Sequence, residues 1–376
     1  MISLLLIICR LCLVEAWGHE GHAIVADIAY ERLSPSIQEI VTKALFPDMP
    51  YNHTQYASPL SAVASWADKV RFTKQYAWTT PLHFVDIRDD LIDGGCPSTS
   101  IPMSSISSSA NASASDDPTR IDHDTYSNCS FVFQRDCGDG RCAASAIEMF
   151  SLHLYNDQSV IEAILLKLQQ DTPGLRGAMS KGNGTITKRE SLMFLIHIVG
   201  DIHQPLHVSR KTDIGGNTIH VSFPQEYTLF IDERNNILHK GWNLHSVWDE
   251  AIIEYSMKTQ FNNSQSYFQK YIQDNFIHDE DVDEWLACSN PMEERCVSVW
   301  SEESFNDALT YAYGDENGNE IQNGAVLTEE YFNTRLPVVQ TRLAAAGVRL
   351  AEALELIYST SNVEKIVNDN ILTAAA

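Results

Sequence analysis

Apolar positions along this chain recur mostly at the three- and four-residue spacing of helices that bury one face. Gly21 to Leu33 is periodic in this way. Ser34-Pro35 and Ser58-Pro59 each set an N-cap residue before a proline in the first helical turn. The second pair predicts a helix carrying Trp66, Asp68 and Arg71. Thr187-Lys-Arg-Glu190 is a capping-box pattern, and it opens the apolar run Ser191 to His203. Pro205 ends or bends that helix, because it has no amide hydrogen and its ring crowds the preceding turn. The period shortens to two over Thr218 to Phe223, a short strand after the turn Asp213-Ile-Gly-Gly-Asn217. Helices resume near Asn243, and Arg335 to Ser359 forms a long amphipathic closing helix. Most of the chain is therefore expected to be helical.

Two segments break the pattern. Met1 to Ala16 reads as a secretory signal peptide: its apolar run is too short to span a bilayer, and Val14 and Ala16 are small residues placed for cleavage. Cleavage after Ala16 makes Trp17 the new N-terminus. No second stretch is long and apolar enough to anchor the protein in a membrane. Residues 97–118 are rich in serine and small residues and predict a flexible surface insertion. The insertion follows His83 and Asp86, so a mobile flap is the functional alternative. The main domain is placed at residues 17–360, with residues 361–376 as a C-terminal tail.

The chain has 376 residues and a formal charge of −24. That balance argues against electrostatic wrapping of duplex nucleic acid, which needs a basic surface. It leaves open a phosphate substrate whose charge is met locally by metal ions. Behind the leader the chain keeps Cys96, Cys129, Cys137, Cys142, Cys288 and Cys296, an even number that suggests disulfides. Cys137 with Cys142 and Cys288 with Cys296 would close small loops; Cys96 and Cys129 remain, and their pairing stays open. Glycosylation sequons start at Asn52, Asn111, Asn128, Asn183 and Asn262.

Candidate chemistry lies in histidine and aspartate at helical spacing. His197 and Asp201 stand at i and i+4, on one face of a helix, and His245 and Asp249 repeat the arrangement. His207 follows just beyond Pro205, while Leu82-His83-Phe84-Val85-Asp86 and Ala64-Ser-Trp-Ala-Asp68 add an imidazole and a carboxylate. Imidazole and carboxylate without thiolate suit catalytic rather than structural zinc. Asp201 stands in an otherwise apolar helix, where an unpaired carboxylate is costly unless a cation meets it. A freed Trp17 amino group and its carbonyl oxygen form a further chelate, with His22 one helical turn on.

These segments, in this order, resemble the single-strand-specific zinc nucleases of the S1/P1 type. The resemblance is carried by Trp17-Gly-His-Glu-Gly-His22, Ala64-Ser-Trp-Ala-Asp68, Leu82-His-Phe-Val-Asp86, Asp136-Cys-Gly-Asp-Gly-Arg-Cys142, the run His197 to His207, Gly215-Gly-Asn217 and Asn243-Leu-His-Ser-Val-Trp-Asp249. It implies a mainly α, single-domain helical fold of the phospholipase C/nuclease type, with a short β-hairpin and three zinc ions in a cleft. One zinc would take Asp68, His83, His197 and Asp201. A second would take the Trp17 amino nitrogen and carbonyl oxygen, His22 and a shared Asp201. A third would take His207, His245 and Asp249. Arg71 falls near the scissile phosphate, Phe84 matches an aromatic that stacks on a base, and Asp86 and Asn217 match residues that hydrogen-bond the nucleotide.

Two positions depart from the family pattern. His19 is not one of its ligands, and Leu309 stands where many relatives have a cysteine, which leaves the partner of Cys129 unsettled. The implied activity is zinc-dependent hydrolysis of single-stranded DNA and RNA to 5′-phosphorylated products, with nucleoside 3′-monophosphates as further substrates. Asp68, Arg71 and Asp201 are the expected catalytic residues. The expected protein is a monomer, secreted or held in an acidic organelle lumen. A zinc phospholipase C-like phosphodiesterase and a non-catalytic secreted zinc-binding protein are the competing readings.

Overall fold

The computed structural model describes residues 17–48, 51, 56–91, 129–155, 186–223, 229–231, 237–239 and 241–359. The expected leader, the serine-rich insertion, the C-terminal tail, Cys96, Asn52, Asn111, Asn128 and Asn183 lie outside these residues. The fold is mainly helical, with helices α1 (His19–Arg32), α2 (Pro35–Leu45), α3 (Trp66–Val70), α4 (Phe133–Asp136), α5 (Ala143–Leu154), α6 (Lys188–Ile202), α7 (Ile252–Gln260), α8 (Gln265–Phe276), α9 (Asp279–Leu286), α10 (Glu294–Asp307) and α11 (Glu329–Tyr358). No described helix is long and apolar enough to cross a membrane.

Short strands link the helices. β1 (Val85–Ile87) pairs in parallel with β2 (Val208–Arg210), and this pairing sets Asp86 opposite Ser209. β3 (His220–Ser222) falls inside the segment of period two. A hairpin pairs β4 (Leu229–Ile231) with β5 (Ile237–His239). β6 (Trp242–Asn243) and β7 (Ala325–Val326) flank β3.

Local chemistry explains several boundaries. The Thr187 hydroxyl accepts from the Glu190 amide and the Glu190 carboxylate accepts from the Thr187 amide, so the predicted capping box starts α6. Pro205 falls after its end and begins a 3₁₀ turn, Pro205–His207. The Ser58 hydroxyl accepts from the Ser61 amide, but it opens no helix there. The chain runs on through turns, and regular helix begins only at Trp66. Ser34 does not cap α2 with its side chain; its amide instead donates to the Glu355 carboxylate of α11. Helix α11 begins six residues before the predicted start, capped by the Thr328 hydroxyl, and passes through Pro337 without ending.

The core lies between α1, α5, α6 and α11. Helix α1 is buried at every residue from Gly21 to Ala29, not on a single face as its periodicity suggests, because α6, α8 and α11 all pack on it. It packs tightly on α11 at Gly347, where a Cβ atom would lie 2.7 Å from Ile28 Cβ. Helix α11 is fastened to α10 by a bidentate pair: Arg349 donates to both oxygens of Glu303 at 2.6 and 2.7 Å, and Arg342 adds a bond of 2.9 Å. Disulfides join Cys137 to Cys142 and Cys288 to Cys296. Cys129 is disulfide-bonded as well. Leu309 is simply part of the buried core. Asn262, the one described sequon, is exposed in the turn before α8 with φ of 52°.

Gly347→Ala separates two opposing effects. Helix propensity alone favours alanine by about 1 kcal/mol, whereas overpacking costs about 1–3 kcal/mol. The contact with Ile28 leaves no room, so chemical denaturation should show a less stable protein. A more stable variant would mean that α1 and α11 do not pack as described.

Candidate metal centre and nucleotide pocket

Helix α6 presents His197 and Asp201 one turn apart on a face that is fully buried. The His197 Nε2 atom lies 3.3 Å from Asp201 Oδ2 and 3.5 Å from Asp68 Oδ2. The His83 Nδ1 atom lies 3.0 Å from Asp201 Oδ2 and 3.6 Å from Asp68 Oδ1. His22 reaches the other side of the same carboxylate, with Nε2 at 3.2 Å from Asp201 Oδ1. Asp201 is thus shared by side chains from α1, α6 and the segment before β1. Trp17 is buried beside this cluster: a Cβ on Gly21 would meet Trp17 at 2.9 Å, and one on Gly200 would meet His22 Nδ1 at 2.8 Å. Those two glycines let the segment at Trp17 approach α6. His19 stays exposed and bonds Ser65 Oγ, apart from the cluster.

A second group forms where the chain leaves α6. His207 and His245 face each other with 3.1 Å between their Nε2 atoms, and Asp249 Oδ2 lies 3.3 Å from His245 Nε2. His245 belongs to a helical turn, Leu244–Ser246, capped by the Asn243 side chain. Asp249 belongs to the π-helical stretch Val247–Ala251 that follows. Such bulges recur at functional sites, where they re-aim side chains. The Gly18 amide donates to the Asp249 carbonyl, tying the two groups together through the N-terminal segment.

Several imidazoles are held by backbone carbonyls. His197 Nδ1 bonds Ala64 O at 2.7 Å, His207 Nδ1 bonds His83 O at 2.7 Å, and His245 Nδ1 bonds Gly215 O at 2.6 Å. With Nδ1 donating, each imidazole in its neutral form turns an Nε2 lone pair to the cluster, the form a metal needs. Gln204 donates to Asp249 and accepts from the Leu206 amide. Sequence reasoning missed this residue, although it lies between two ligand candidates.

The electrostatics also call for cations. Burial, then the neighbouring His197, push His22 down to about 4. Burial, then His207, push His245 down to about 3. Burial opposes charge on His197 too, but Asp201 and Asp68 together raise it to about 10. Burial would raise Asp68 and Asp201; the charged His197 outweighs it and holds both below the usual carboxylate range. Asp249 has no such partner, and burial pushes it well above that range. His22 Nδ1 and His83 Nε2 are buried without a hydrogen-bond partner, while Asp201 Oδ1 has only its ion-pair contact with His22 and Asp68 Oδ1 only those with His83 and Arg71, with no aligned hydrogen bond. Buried polar groups met this poorly are costly. Among the described residues, three sets fit a metal ion by the closeness of their donor atoms: His22, Asp68 and His197; His83, His197 and Asp201; His207, His245 and Asp249. Their nitrogen and oxygen donors suit zinc.

A pocket of about 340 Å³ opens beside His207 and His245 and is linked to the first group through Arg71, which pairs with Asp68. Its wall brings together Arg71, Phe84, Asp86 and Asn217, the residues singled out in sequence, with His207 and His245. Arg71 is 2 % exposed; its Nη2 lies 3.4 Å from Asp68, and Nε and Nη2 have no hydrogen-bond acceptor. Asp86 faces Lys211 across 3.9 Å, and burial raises its carboxyl. Phe72 and Ile214 add apolar surface that sequence reasoning did not identify; both are more than half exposed. Ile214, Gly215 and Gly216 all have positive φ, at 56°, 61° and 78°. Glycine adopts this region freely, but a β-branched residue is strained there by about 1–3 kcal/mol. Gly215 is also needed for space, since a Cβ would lie 2.5 Å from Leu206 O and 3.2 Å from His245 Nδ1.

Comparison with known proteins agrees with this geometry. A sequence model described as S1/P1 Nuclease matches residues 17–359. Endonuclease 4 of Arabidopsis thaliana is 30 % identical over 355 residues, covering 92 % of this chain and 90 % of its own. Endonuclease 1 of the same plant is 28 % identical, covering 94 % and 91 %. Nuclease S1 of Aspergillus oryzae is 26 % identical, covering 92 % and 93 %. With buried imidazoles and carboxylates beside a pocket holding Arg71 and Phe84, and a family match across nearly all the described residues, the chain belongs to the S1/P1 nuclease family.

Proposed function

We propose that this nuclease is a zinc-dependent endonuclease that hydrolyses single-stranded DNA and RNA to 5′-phosphorylated products and also acts on nucleoside 3′-monophosphates. The observation that carries the reading is the joining of both buried ligand groups to one pocket through Arg71, which pairs with Asp68 and lines the wall beside His207 and His245. Asp68, His83, His197 and Asp201 would hold one zinc; the Trp17 amino nitrogen and carbonyl oxygen, His22 and Asp201 a second; His207, His245 and Asp249 a third. Zinc, when bound, polarises phosphate and makes water acidic enough to ionise near neutral pH.

The chain's own residues supply the rest. Arg71 has an Nε with no hydrogen-bond acceptor and an Nη2 held only by its ion pair with Asp68, and with these it meets phosphate oxygens and offsets the charge that develops on the leaving 3′ oxygen. Asp68 orients the attacking water and takes up its proton. Phe84 stacks on a base that has left the duplex, which accounts for single-strand preference. Asp86 and Asn217 hydrogen-bond the nucleotide. The apolar run before Trp17 and the disulfides support passage through the secretory pathway, to the outside or to an acidic lumen. The protein is read as a glycosylated monomer.

Two substitutions test this. Disturbing groups that only support metal ligands already costs about 10–100-fold, so Asp201→Asn should cut cleavage of denatured DNA by more than about a hundredfold. It should also release more than one equivalent of zinc, measured by elemental analysis; full activity would refute the shared role of Asp201. Base stacking on an aromatic is worth about 1–3 kcal/mol, so Phe84→Ala should raise KM for single-stranded oligonucleotides roughly five- to a hundredfold. An unchanged KM would assign Phe84 to packing alone.

A further inference from the structure

The strained turn Ile214–Gly216 is shared by the two halves of the site. Its Gly215 carbonyl fixes the His245 imidazole, while Ile214 and Asn217 face the pocket. A turn carrying an isoleucine at φ 56° needs its neighbours to hold it. The neighbours are Asp213 and Tyr313. Asp213 Oδ1 accepts from the Gly216 amide at 2.6 Å and from the Tyr313 hydroxyl at 2.9 Å. The Asp213 carbonyl accepts from the Thr218 amide at 3.2 Å, closing the turn. Tyr313 is fully buried, and the Ser209 hydroxyl lies 3.2 Å from its own. Its ring lies 4.2 Å under the Arg210 guanidinium, so its position is fixed independently of the hydroxyl.

We infer that Tyr313 is a positioning residue: through Asp213 it locks the turn 213–217, and so couples the grip on His245 to the shape of the nucleotide pocket. It touches neither substrate nor metal. The inference rests on the proposed function for the identity of the ligands, zinc and a nucleotide. It also predicts that the two halves loosen together, since one turn serves both.

The test uses the full mature protein and two readouts that need no turnover. Zinc retention is measured by competition with a chelator, and nucleotide affinity by calorimetric titration with deoxyadenosine 5′-monophosphate. Tyr313→Phe removes the hydroxyl and keeps the ring over Arg210. It should weaken retention of one zinc by roughly tenfold, the lower end of the effect of losing an outer hydrogen bond. Nucleotide affinity should fall several-fold in the same variant, with little change in melting temperature. Asp213→Asn keeps an oxygen that accepts from both partners and should retain near-normal values, whereas Asp213→Ala should lose more than Tyr313→Phe. Normal zinc retention and nucleotide affinity in Tyr313→Phe would overturn the inference, as would loss of one property without the other. Cleavage of single-stranded DNA by the unmodified protein tests the proposed function separately. A protein that binds zinc and nucleotide without cleaving would defeat that function and leave the role of Tyr313 standing.

Discussion

Burial of charge without enough partners is the constraint around which this molecule is built. Asp68, Asp201 and Asp249 lie in the interior with His22, His83, His197, His207 and His245, and protein hydrogen bonds leave several of their atoms unsatisfied. Left to themselves these groups are pushed to unlike behaviour: the two carboxyls beside His197 raise it to about 10, while burial pushes Asp249 well above the usual carboxylate range. Cations held in the same space would compete with those protons, so metal binding and proton release would be linked. The arrangement is poor as a core and well suited to a metal centre.

The helices make that arrangement rigid. The capping box fixes one end of α6, and the Pro205 turn releases the chain at the other, directly after Asp201. Helix α1 runs buried alongside and delivers His22; α11, bolted through Arg342 and Arg349 to Glu303, closes the far side. Arg342 also donates to the His203 carbonyl, so the closing helix braces the end of α6 that carries Asp201. Two irregular pieces shape the site: a π-helical stretch at Asp249 and a turn of left-handed residues at Ile214.

What could be read from sequence was local or chemically distinctive. The capping box at Thr187, the Pro205 bend and the strand near His220 follow from neighbouring residues alone. Helical spacing by itself puts His197 with Asp201 and His245 with Asp249. What escaped depends on distant partners. The Ser34 amide is held by Glu355, more than three hundred residues away, while its hydroxyl turns to Ser36 rather than capping α2. Helix α11 starts six residues before the predicted Arg335 because the Thr328 hydroxyl caps it further upstream. Helix α1 has a periodic sequence but is enclosed all round by later helices. Gln204 and Tyr313 act across 45 and 100 residues, and neither belongs to a ligand pattern.

Zinc-edge anomalous diffraction from crystals of the mature protein is the most direct test of a metal centre in the core. The account predicts three strong peaks: one among Asp68, His83, His197 and Asp201, one between Trp17, His22 and Asp201, and one among His207, His245 and Asp249. A map with zinc only at the surface, or with none beside Asp201 while the protein remains folded and active, would contradict it.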